Sequence, residues 1–324
     1  MSEQDWQPTA TVAVLRQRAE IMRQLREFFL QRDALEVETP TLSRAANTDP
    51  NIDSFMTKYE GPGPSGTGEL YLHTSPEFPM KRLLAAGYGS MYQICKVFRD
   101  GEAGQFHNPE FTMLEWYRVE LDLHGLMDEV EALVSGVLDR GQTFRRITFQ
   151  QAFMETIGID PLTASATELQ RYSEQHGPGD VIGMDNDPDA WLDLLMDQVV
   201  IPSLGDEAIF VYDYPASQAS LARLSETDNR VAERFELFVD GVELANGFHE
   251  LTDQREQRRR FEADNLKRGH NGKKQFPLDE HFLHALNNGL PDCSGVALGI
   301  DRLVMLRAGL THIQDVVAFP VYRA

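Results

Sequence analysis

Three glutamates stand at seven-residue intervals in F-E-L-F-V-D-G-V-E-L-A-N-G-F-H-E, which spans residues 235–250. Within this segment, Asp240 and Gly241 separate two alternating apolar runs, a pattern that predicts a β-hairpin with a two-residue turn. Such a hairpin places Glu236 and Glu243 on the same face of the sheet. Two neighbouring carboxylates repel each other unless a cation lies between them.

The predicted register of this hairpin pairs Phe238 with Glu243 and Glu236 with Ala245. A hard divalent ion suits the two carboxylates, and Mg²⁺ often bridges carboxylates to phosphate oxygens. The sequence therefore indicates a Mg²⁺ site at Glu236 and Glu243. An exposed acidic strand face is the alternative interpretation of the same pattern.

A second candidate site is the segment F-R-D-G-E-A-G-Q-F-H-N-P-E-F-T-M-L-E-W-Y, residues 98–117. Arg99 leaves one strand, and a guanidinium matches the oxygens of a phosphate group. On the returning strand, Phe111 offers a ring on which a base can stack, and Tyr117 offers a buried hydroxyl. The alternative is an ordinary hairpin with a surface arginine.

The third segment, S-G-V-A-L-G-I-D-R, spans residues 294–302. Gly295 and Gly299 allow a flat ligand to approach the backbone closely. Arg302, at the start of the following apolar helix, then lies beside that ligand. A strand weakened by glycine before a helix is the alternative.

The elements that position these segments are predicted from hydrophobic periodicity. A helix over residues 11–32 is followed by a short strand that closes at Pro40. Further patterns predict strands at 91–98, 110–117, 210–214, 234–239 and 242–248, and helices at 123–138, 253–267 and 278–287. The fold class is α+β, with a mostly antiparallel sheet flanked by helices.

Composition and charge argue against some classes of protein. The chain of 324 residues has a net charge of −21, which disfavours non-specific binding to nucleic acid or to anionic membranes. It has two cysteines, and we find no signal peptide and no long apolar run, so we expect a cytoplasmic protein without disulfides. Two basic segments, 255–261 and 267–274, are candidate contacts for a partner or solvated surface.

Taken in order, these segments resemble the three motifs of class II aminoacyl-tRNA synthetases, and in detail those of the lysine-specific enzyme. The resemblance rests on T-S-P-E-F-P-M-K-R-L, H-N-P-E-F-T-M, E-L-A-N-G-F-H-E-L and G-I-D-R-L-V-M-L, and it covers about residues 11–320. It implies one catalytic domain over residues 1–324, in which residues 141–205, with their weak helical patterns and their Pro, Gly and Asp, are typical of an insertion. It also implies a homodimer whose interface includes residues 11–40.

Two features resemble a branch of this family that attaches (R)-β-lysine to a lysine side chain of translation elongation factor P. The first motif begins near residue 11, so we expect no N-terminal OB-fold that reads an anticodon. Ser75 and Ala297 stand where the synthetase has alanine and glycine. The added methyl at Ala297 reshapes the floor of the amino-acid pocket, and one such group discriminates between substrates by about 1–3 kcal/mol.

The resemblance also implies the residues that bind ATP and Mg²⁺. Arg99 would bind the α-phosphate, and Arg302 the γ-phosphate side, so both are expected to be catalytic. Phe111 would stack on adenine, with Arg302 on its other face, and Glu236 and Glu243 would hold Mg²⁺. The remaining nucleotide contacts are expected at Asp100, Gly101, Asn108, Leu244 and Gly299.

For the amino acid, the resemblance implies that Glu77 meets the amine near the carboxylate, and that Tyr117 and Glu250 recognise the distal ammonium. Ser75, Pro76 and Ala297 complete the expected substrate-binding residues. The family motif has glutamate where this chain has Gly101, so either Glu102 makes the same contact from a shifted loop or the backbone does. The implied reaction forms an aminoacyl-adenylate and then transfers the acyl group, without a protein nucleophile.

Two other functions stay open at this stage. One is a free-standing enzyme that charges tRNA with lysine, against which the expected lack of an anticodon domain and the net charge of −21 both argue. The other is a non-catalytic paralogue that senses an amino acid or ATP. Retention of Arg99, Arg302, Glu236 and Glu243 argues against the sensor. We therefore predict a ligase with no tRNA and no membrane partner.

Overall fold

The computed structural model describes residues 6–61, 68–141, 143–177 and 186–324, which form two compact units. Of the described residues, the first unit comprises 6–61, 68–122, 132–140 and 252–324, and the second comprises 123–131, 141, 143–177 and 186–251. The predicted insertion at 141–205 falls in the second unit. None of the described helices is long and apolar enough to cross a membrane.

In chain order, the elements up to residue 138 are α1 (Val12–Leu30), β1 (Leu35–Glu36), β2 (Leu42–Ser43), β3 (Met56–Lys58), β4 (Glu69–Leu72), α2 (Glu77–Ala85), β5 (Met91–Phe98), β6 (Glu110–Val119) and α3 (Leu123–Leu138). The following elements are β7 (Arg145–Thr148), α4 (Phe149–Thr156), α5 (Ala166–His176), α6 (Pro188–Leu195), α7 (Ile201–Leu204), β8 (Ile209–Pro215), β9 (Val231–Val239) and β10 (Val242–His249). The chain ends with α8 (Gln254–His270), α9 (Glu280–Gly289), β11 (Cys293–Gly299) and α10 (Ile300–Ala308).

In the first unit, the strands run in the order β1-β5-β6-β11. β1 is parallel to β5, whereas β5 with β6 and β6 with β11 are antiparallel. Helix α1 covers one face of this sheet: Phe29 stacks on Tyr92 with ring centroids 4.3 Å apart and meets Trp116 edge-on at 5.4 Å. All three rings are buried, so this side of the sheet is apolar core.

In the second unit, the strands run β10-β9-β8-β7, with only β7 and β8 parallel. The helices of residues 149–204 pack a separate apolar core around Trp191, Phe149 and Phe153. Thr148 caps α4 through a capping box with Gln151, which fixes where that helix begins. The predicted α+β class with a mostly antiparallel sheet is confirmed.

Candidate active site

One face of the first unit's sheet carries polar groups where the other face is core. The register places Gln93 of β5 opposite Glu115 of β6, and Glu115 opposite Ala297 of β11. Directly paired residues of antiparallel strands point their side chains to the same face. Tyr117 lies on this face too, since residues two apart on a strand share a side.

Glu115 is the centre of this polar face. Its carboxylate accepts a hydrogen bond from the Tyr117 hydroxyl at 2.7 Å and another from Ser75 Oγ at 2.8 Å. Only 3% of the residue is exposed. Burial raises the pKa of the Glu115 carboxyl to about 8, and the charge of Glu77 adds to the rise. Glu115 therefore takes up a proton near neutral pH when no cation faces it.

The start of α2 supplies the other side of this cluster. The backbone N–H of Glu77 donates to Ser75 Oγ at 3.0 Å, so Ser75 links the helix to Glu115. The Lys81 ammonium donates to Glu77 Oε1 at 2.6 Å, and its side chain is 1% exposed. We call Ser75, Glu77, Lys81, Glu115 and Tyr117 the ammonium cluster. It holds two carboxylates and one internal cation in a nearly dry site.

Sequence reasoning named Ser75, Glu77 and Tyr117 as substrate-binding residues, and the structure brings all three together around Glu115. The register adds Ala297 beside them, and Pro76 is the buried residue that precedes α2. Glu115 itself was not assigned a role from the sequence. The pattern that could have revealed it is a single acid inside M-L-E-W-Y, because a charged residue in a buried strand requires a partner.

The predicted phosphate-binding residue Arg99 follows β5. Its guanidinium carbon lies 5.1 Å from the centroid of the Phe111 ring. Its Nε is buried and has no hydrogen-bond partner among the described residues. Glu102 Oε1 lies 3.7 Å from Arg99 Nη1, and Gly101 adopts a φ of +82° that favours glycine. The loop thus brings Glu102 to Arg99.

Arg302 lies in the first turn of α10. Its Nε donates to the carbonyl of Phe106 at 3.3 Å, and its Nη2 lies 2.8 Å from His107 Nε2. A Cβ added at Gly299 would lie 3.7 Å from Arg302 Cδ, an ordinary contact. The protein's own atoms therefore do not require a glycine at 299, which is consistent with space kept for a ligand.

Two of the predicted nucleotide-binding residues, Asn108 and Asp100, make hydrogen bonds within the protein. Asn108 is buried, donates from Nδ2 to the Glu110 carbonyl at 2.6 Å and accepts from the Val321 N–H at 3.1 Å. The Asp100 N–H donates to the Asp53 carbonyl at 2.8 Å, and Asp100 is exposed. Asn108 thus fixes the shape of the loop after Arg99.

The predicted hairpin in the second unit is present, but half of its register is wrong. Phe238 pairs with Glu243 as expected, whereas Glu236 pairs with Asn246 rather than Ala245. A β-bulge between Glu243 and Ala245 adds one residue to β10, which shifts the pairing beyond the buried Leu244. Glu236 and Glu243 still share a face of the sheet. Glu243 pairs with Phe238, and Phe238 lies on the same side of β9 as Glu236, two residues away.

The surroundings of Glu236 suit a dication. Its Oε1 accepts from Arg234 Nη2 and, at 3.1 Å, from Asn246 Nδ2. Burial raises its pKa, Arg234 opposes that rise, and repulsion from Glu243 adds to it. Arg234 Nε and Asn246 Oδ1 are buried without a hydrogen-bond partner among the described residues. Unsatisfied polar atoms beside two carboxylates fit a group that brings both a cation and acceptor oxygens.

The same part of the chain places Glu250 after β10, where it is 1% exposed. Across the residues that the structure describes, no group of three or more His, Cys, Asp or Glu side chains could hold a metal ion. Mg²⁺ often takes only one or two carboxylates from a protein and keeps water or phosphate oxygens at its other positions, so the number of carboxylates at Glu236 and Glu243 fits this ion.

Comparison with known proteins gives one family over the whole chain. Residues 5–323 match the family of class II tRNA synthetases (D, K and N). A relative from Vibrio atlanticus is 51% identical over 320 residues, covering 98% of this chain and 99% of the relative. A relative from Vibrio cholerae is 50% identical over 325 residues, covering 100% of both chains.

A third relative, from Salmonella arizonae, is 52% identical over 320 residues, covering 98% of each chain. All three are named elongation factor P–(R)-β-lysine ligase. The chain therefore belongs to the class II tRNA synthetases (D, K and N), and within them it groups with the elongation factor P–(R)-β-lysine ligases.

Proposed function

We propose that this protein uses ATP to activate (R)-β-lysine as an aminoacyl-adenylate and then transfers the acyl group to a lysine side chain of translation elongation factor P. The ammonium cluster carries the proposal, because it holds two nearly dry carboxylates and one internal cation, Lys81, so a substrate ammonium would balance the second carboxylate. Full-length relatives with that name support the choice of amino acid and acceptor.

In the first step, the amino-acid carboxylate attacks the α-phosphate of ATP, and pyrophosphate leaves. Arg99 is proposed to neutralise charge on the α-phosphate, with Phe111 stacking on adenine. Arg302 would bind the γ-phosphate side. Asp100, Gly101, Asn108, Leu244 and Gly299 are proposed to shape the nucleotide site. Mg²⁺ held by Glu236 and Glu243 would supply positive charge to the phosphates.

Recognition of (R)-β-lysine is proposed to start at Glu115. An ammonium beside this carboxylate would keep it ionised and replace the proton that it otherwise binds. Tyr117 orients Glu115, and Glu250 is a further proposed partner of the distal ammonium. Glu77 would meet the amine nearer the carboxylate, with Ser75 and Ala297 setting the shape of the pocket.

In the second step, the acceptor amine nitrogen attacks the acyl carbon of the adenylate. A carbon–nitrogen bond forms, the bond from that carbon to the phosphate oxygen breaks, and AMP leaves with the electron pair. The acceptor ammonium gives one proton to solvent before attack and a second as the amide forms. The reaction needs positioning of the two substrates rather than a protein nucleophile.

The test is ATP–pyrophosphate exchange with purified protein, comparing (R)-β-lysine with α-lysine. Mass spectrometry of elongation factor P and gel analysis of tRNA after incubation identify the acceptor. We expect exchange that prefers (R)-β-lysine and a mass increase on elongation factor P only. Absence of exchange with both amino acids would refute the enzyme, and labelled tRNA with unmodified elongation factor P would favour tRNA charging.

We also propose a cytoplasmic homodimer, since the acceptor is a translation factor and α1 lies in the region expected to form the interface. Leu30 and Leu35, at the end of that region, are 73% and 49% exposed, so they offer apolar surface for a second copy. Light scattering coupled to size exclusion should give twice the chain mass of 36.7 kDa.

A further inference from the structure

A cavity of about 560 Å³ opens in the first unit between the chain after Pro40, the start of α2 and the residues that lead into α9. Its wall includes Ala45, His73, Asp279 and His281. This volume lies within the usual range for ligand pockets, roughly 300–1,000 Å³. We call it the α2–α9 cavity. Of the residues proposed above to bind ATP or the amino acid, Ser75 and Glu77 lie in its wall, and the rest of the wall has no role yet.

The α2–α9 cavity reaches the ammonium cluster from one side. Ser75 and Glu77 line it, whereas Glu115, Tyr117 and Ala297 are not among its lining residues. A ligand in the cavity would therefore approach the end of the substrate that meets Glu77. That end carries the carboxylate, which becomes the acyl group of the adenylate.

The wall also contains polar atoms that the protein leaves unsatisfied. Ser54 and His73 are each 9% exposed, and both line the cavity. Ser54 Oγ and His73 Nδ1 are buried with no hydrogen-bond partner among the described residues. His73 Nε2 lies 2.7 Å from the Lys96 carbonyl, so Nε2 carries the hydrogen and Nδ1 is left as an acceptor. Burial lowers the pKa of His73, which favours this neutral form.

The charge of the lining favours a cation inside the cavity. Glu77 and Asp279 are half-buried or buried carboxylates, whereas the lining arginines Arg44 and Arg82 are exposed. Glu77 Oε1 accepts from Lys81 Nζ, and Asp279 Oδ1 accepts from the Phe282 N–H. The second oxygen of each carboxylate and His73 Nδ1 are therefore the atoms that can accept from a ligand. A long side chain that ends in an ammonium matches such a wall, because it donates three hydrogen bonds and accepts none.

We propose that the α2–α9 cavity receives the acceptor lysine of the protein substrate and guides its amine toward the acyl group beside Ser75 and Glu77. This inference rests on the proposed function, since it supplies the docking surface for the second substrate of that reaction. The occupant is a lysine side chain with its flanking peptide. Occupation by the amino acid or by ATP is the competing outcome of the test.

The test fills the cavity and measures the two half-reactions separately. In Ala45→Trp, a large ring replaces the methyl of a half-buried lining residue. In His281→Trp, a larger ring replaces the imidazole of an exposed lining residue. Ala86→Trp is the matched control, because Ala86 is exposed just after α2 and outside the lining. Each protein is assayed for ATP–pyrophosphate exchange with (R)-β-lysine, for hydroxamate formation with hydroxylamine, and for transfer to purified elongation factor P. Circular dichroism checks folding.

We expect both cavity variants to keep exchange and hydroxamate formation within about threefold, because hydroxylamine is small enough to bypass the filled cavity. Their kcat/KM for elongation factor P should fall by at least about tenfold, because the new ring fills the cavity that receives the acceptor lysine. Ala86→Trp should match the wild type in all three assays.

Normal transfer by folded Ala45→Trp and His281→Trp would overturn the inference. An equal loss of exchange and transfer would also overturn it, by assigning the cavity to the first half-reaction. If Ala45→Trp does not fold, His281→Trp decides alone. Failure of the proposed function looks different: the wild type itself would then activate (R)-β-lysine without modifying elongation factor P, or would not activate it.

Discussion

The two groups of paired carboxylates in this protein are built in opposite ways. In the ammonium cluster, Glu115 receives hydrogen bonds on both oxygens and Glu77 is paired with Lys81. Around Glu236, by contrast, Arg234 Nε and Asn246 Oδ1 are buried without partners among the described residues. The first group is held in place by hydrogen bonds within the protein. The second keeps unsatisfied atoms and a like-charge pair, so a bound ion and its oxygen ligands would complete it.

The largest loss of activity is expected from changes to Glu236 and Glu243. In Glu236→Gln with Glu243→Gln, the paired negative charge that would hold Mg²⁺ is removed while the shape is kept. We expect ATP–pyrophosphate exchange to fall by about 1,000-fold, the upper scale for loss of a transition-state electrostatic contact. The stabilisation of the fold by Mg·ATP, seen as a rise in the unfolding temperature, should be lost as well.

Glu226→Gln is the matched control, because Glu226 is exposed and belongs to the same unit. It should leave both the exchange rate and the stabilisation by Mg·ATP unchanged. A double variant that still shows Mg²⁺-dependent exchange at more than a tenth of the wild-type rate would rule out Glu236 and Glu243 as the metal ligands.

A smaller, more selective effect is expected at the ammonium cluster. Glu115→Gln removes the negative charge that a bound ammonium would keep on this carboxylate. Loss of one partner of such a buried pair costs roughly 2–5 kcal/mol, so kcat/KM for (R)-β-lysine should fall about 100-fold. KM for ATP should change little. Glu120→Gln, at an exposed position directly after the same strand, serves as the control. An equal rise in both KM values would show that Glu115 supports the fold rather than the amino acid.

The raised pKa of Glu115 gives a pH dependence with a definite sign. The folded pKa of about 8 exceeds the ordinary 4.5, so the stability tied to this proton is fully present below pH 4.5 and is lost as pH rises through 8. Binding of the substrate favours loss of the Glu115 proton, because an ammonium stabilises the ionised carboxylate. KM for (R)-β-lysine should therefore fall about tenfold between pH 6.5 and 8.

Two measurements check this pH dependence. The unfolding temperature of the wild type without substrate should decline from pH 5 to 8.5 relative to that of Glu115→Gln. The pH dependence of KM should flatten in the same variant. Parallel curves for the two proteins in both measurements would mean that Glu115 does not titrate in this range.

Specificity between lysine isomers should depend on the residue that the register places opposite Glu115. Ala297→Gly removes one methyl from the floor beside the ammonium cluster, and a single methyl changes discrimination by roughly 10-fold or more. We expect the ratio of exchange with (R)-β-lysine to that with α-lysine to fall by that amount. An unchanged ratio would remove Ala297 from the specificity determinants.

The pattern of predicted elements was sufficient for the fold class, and the family resemblance was what named Ser75, Glu77 and Tyr117 together. The bulge in β10 was not predictable in this way, because Glu243 and Asn246 take the same face only if the strand gains one residue at Leu244. A strict alternation rule cannot detect such an insertion.

Glu115 was missed for a different reason. Its role depends on Ser75, which is 40 positions away in the chain and becomes a neighbour only through the packing of α2 on the sheet face. The sequence shows that a buried acid needs a partner, but not which partner. The same holds for the α2–α9 cavity, whose walls come from four separate stretches of the first unit.

The smallest effect is expected at the basic segment of residues 255–261. In the structure, Arg258 pairs with Glu280 at 2.5 Å, and Arg259 and Arg260 pair with Glu256 at 2.7 and 2.9 Å. These acids offset much of the positive charge that the sequence alone suggested for contact with the acceptor. Exposed ion pairs contribute less than about 1 kcal/mol, so the triple change to alanine should slow transfer to elongation factor P by threefold at most and leave exchange intact.

The ion pairs also provide a way to sharpen this comparison. In Glu256→Gln, Arg259 and Arg260 lose their ion pairs with the Glu256 carboxylate, while every residue of the cavity wall is left unchanged. If the segment contacts the acceptor, the release should speed transfer at low salt and the gain should vanish at high salt. Equal rates in the wild type and both variants at low salt would exclude the segment, leaving the wall of the α2–α9 cavity as the surface of this unit that acts on the acceptor.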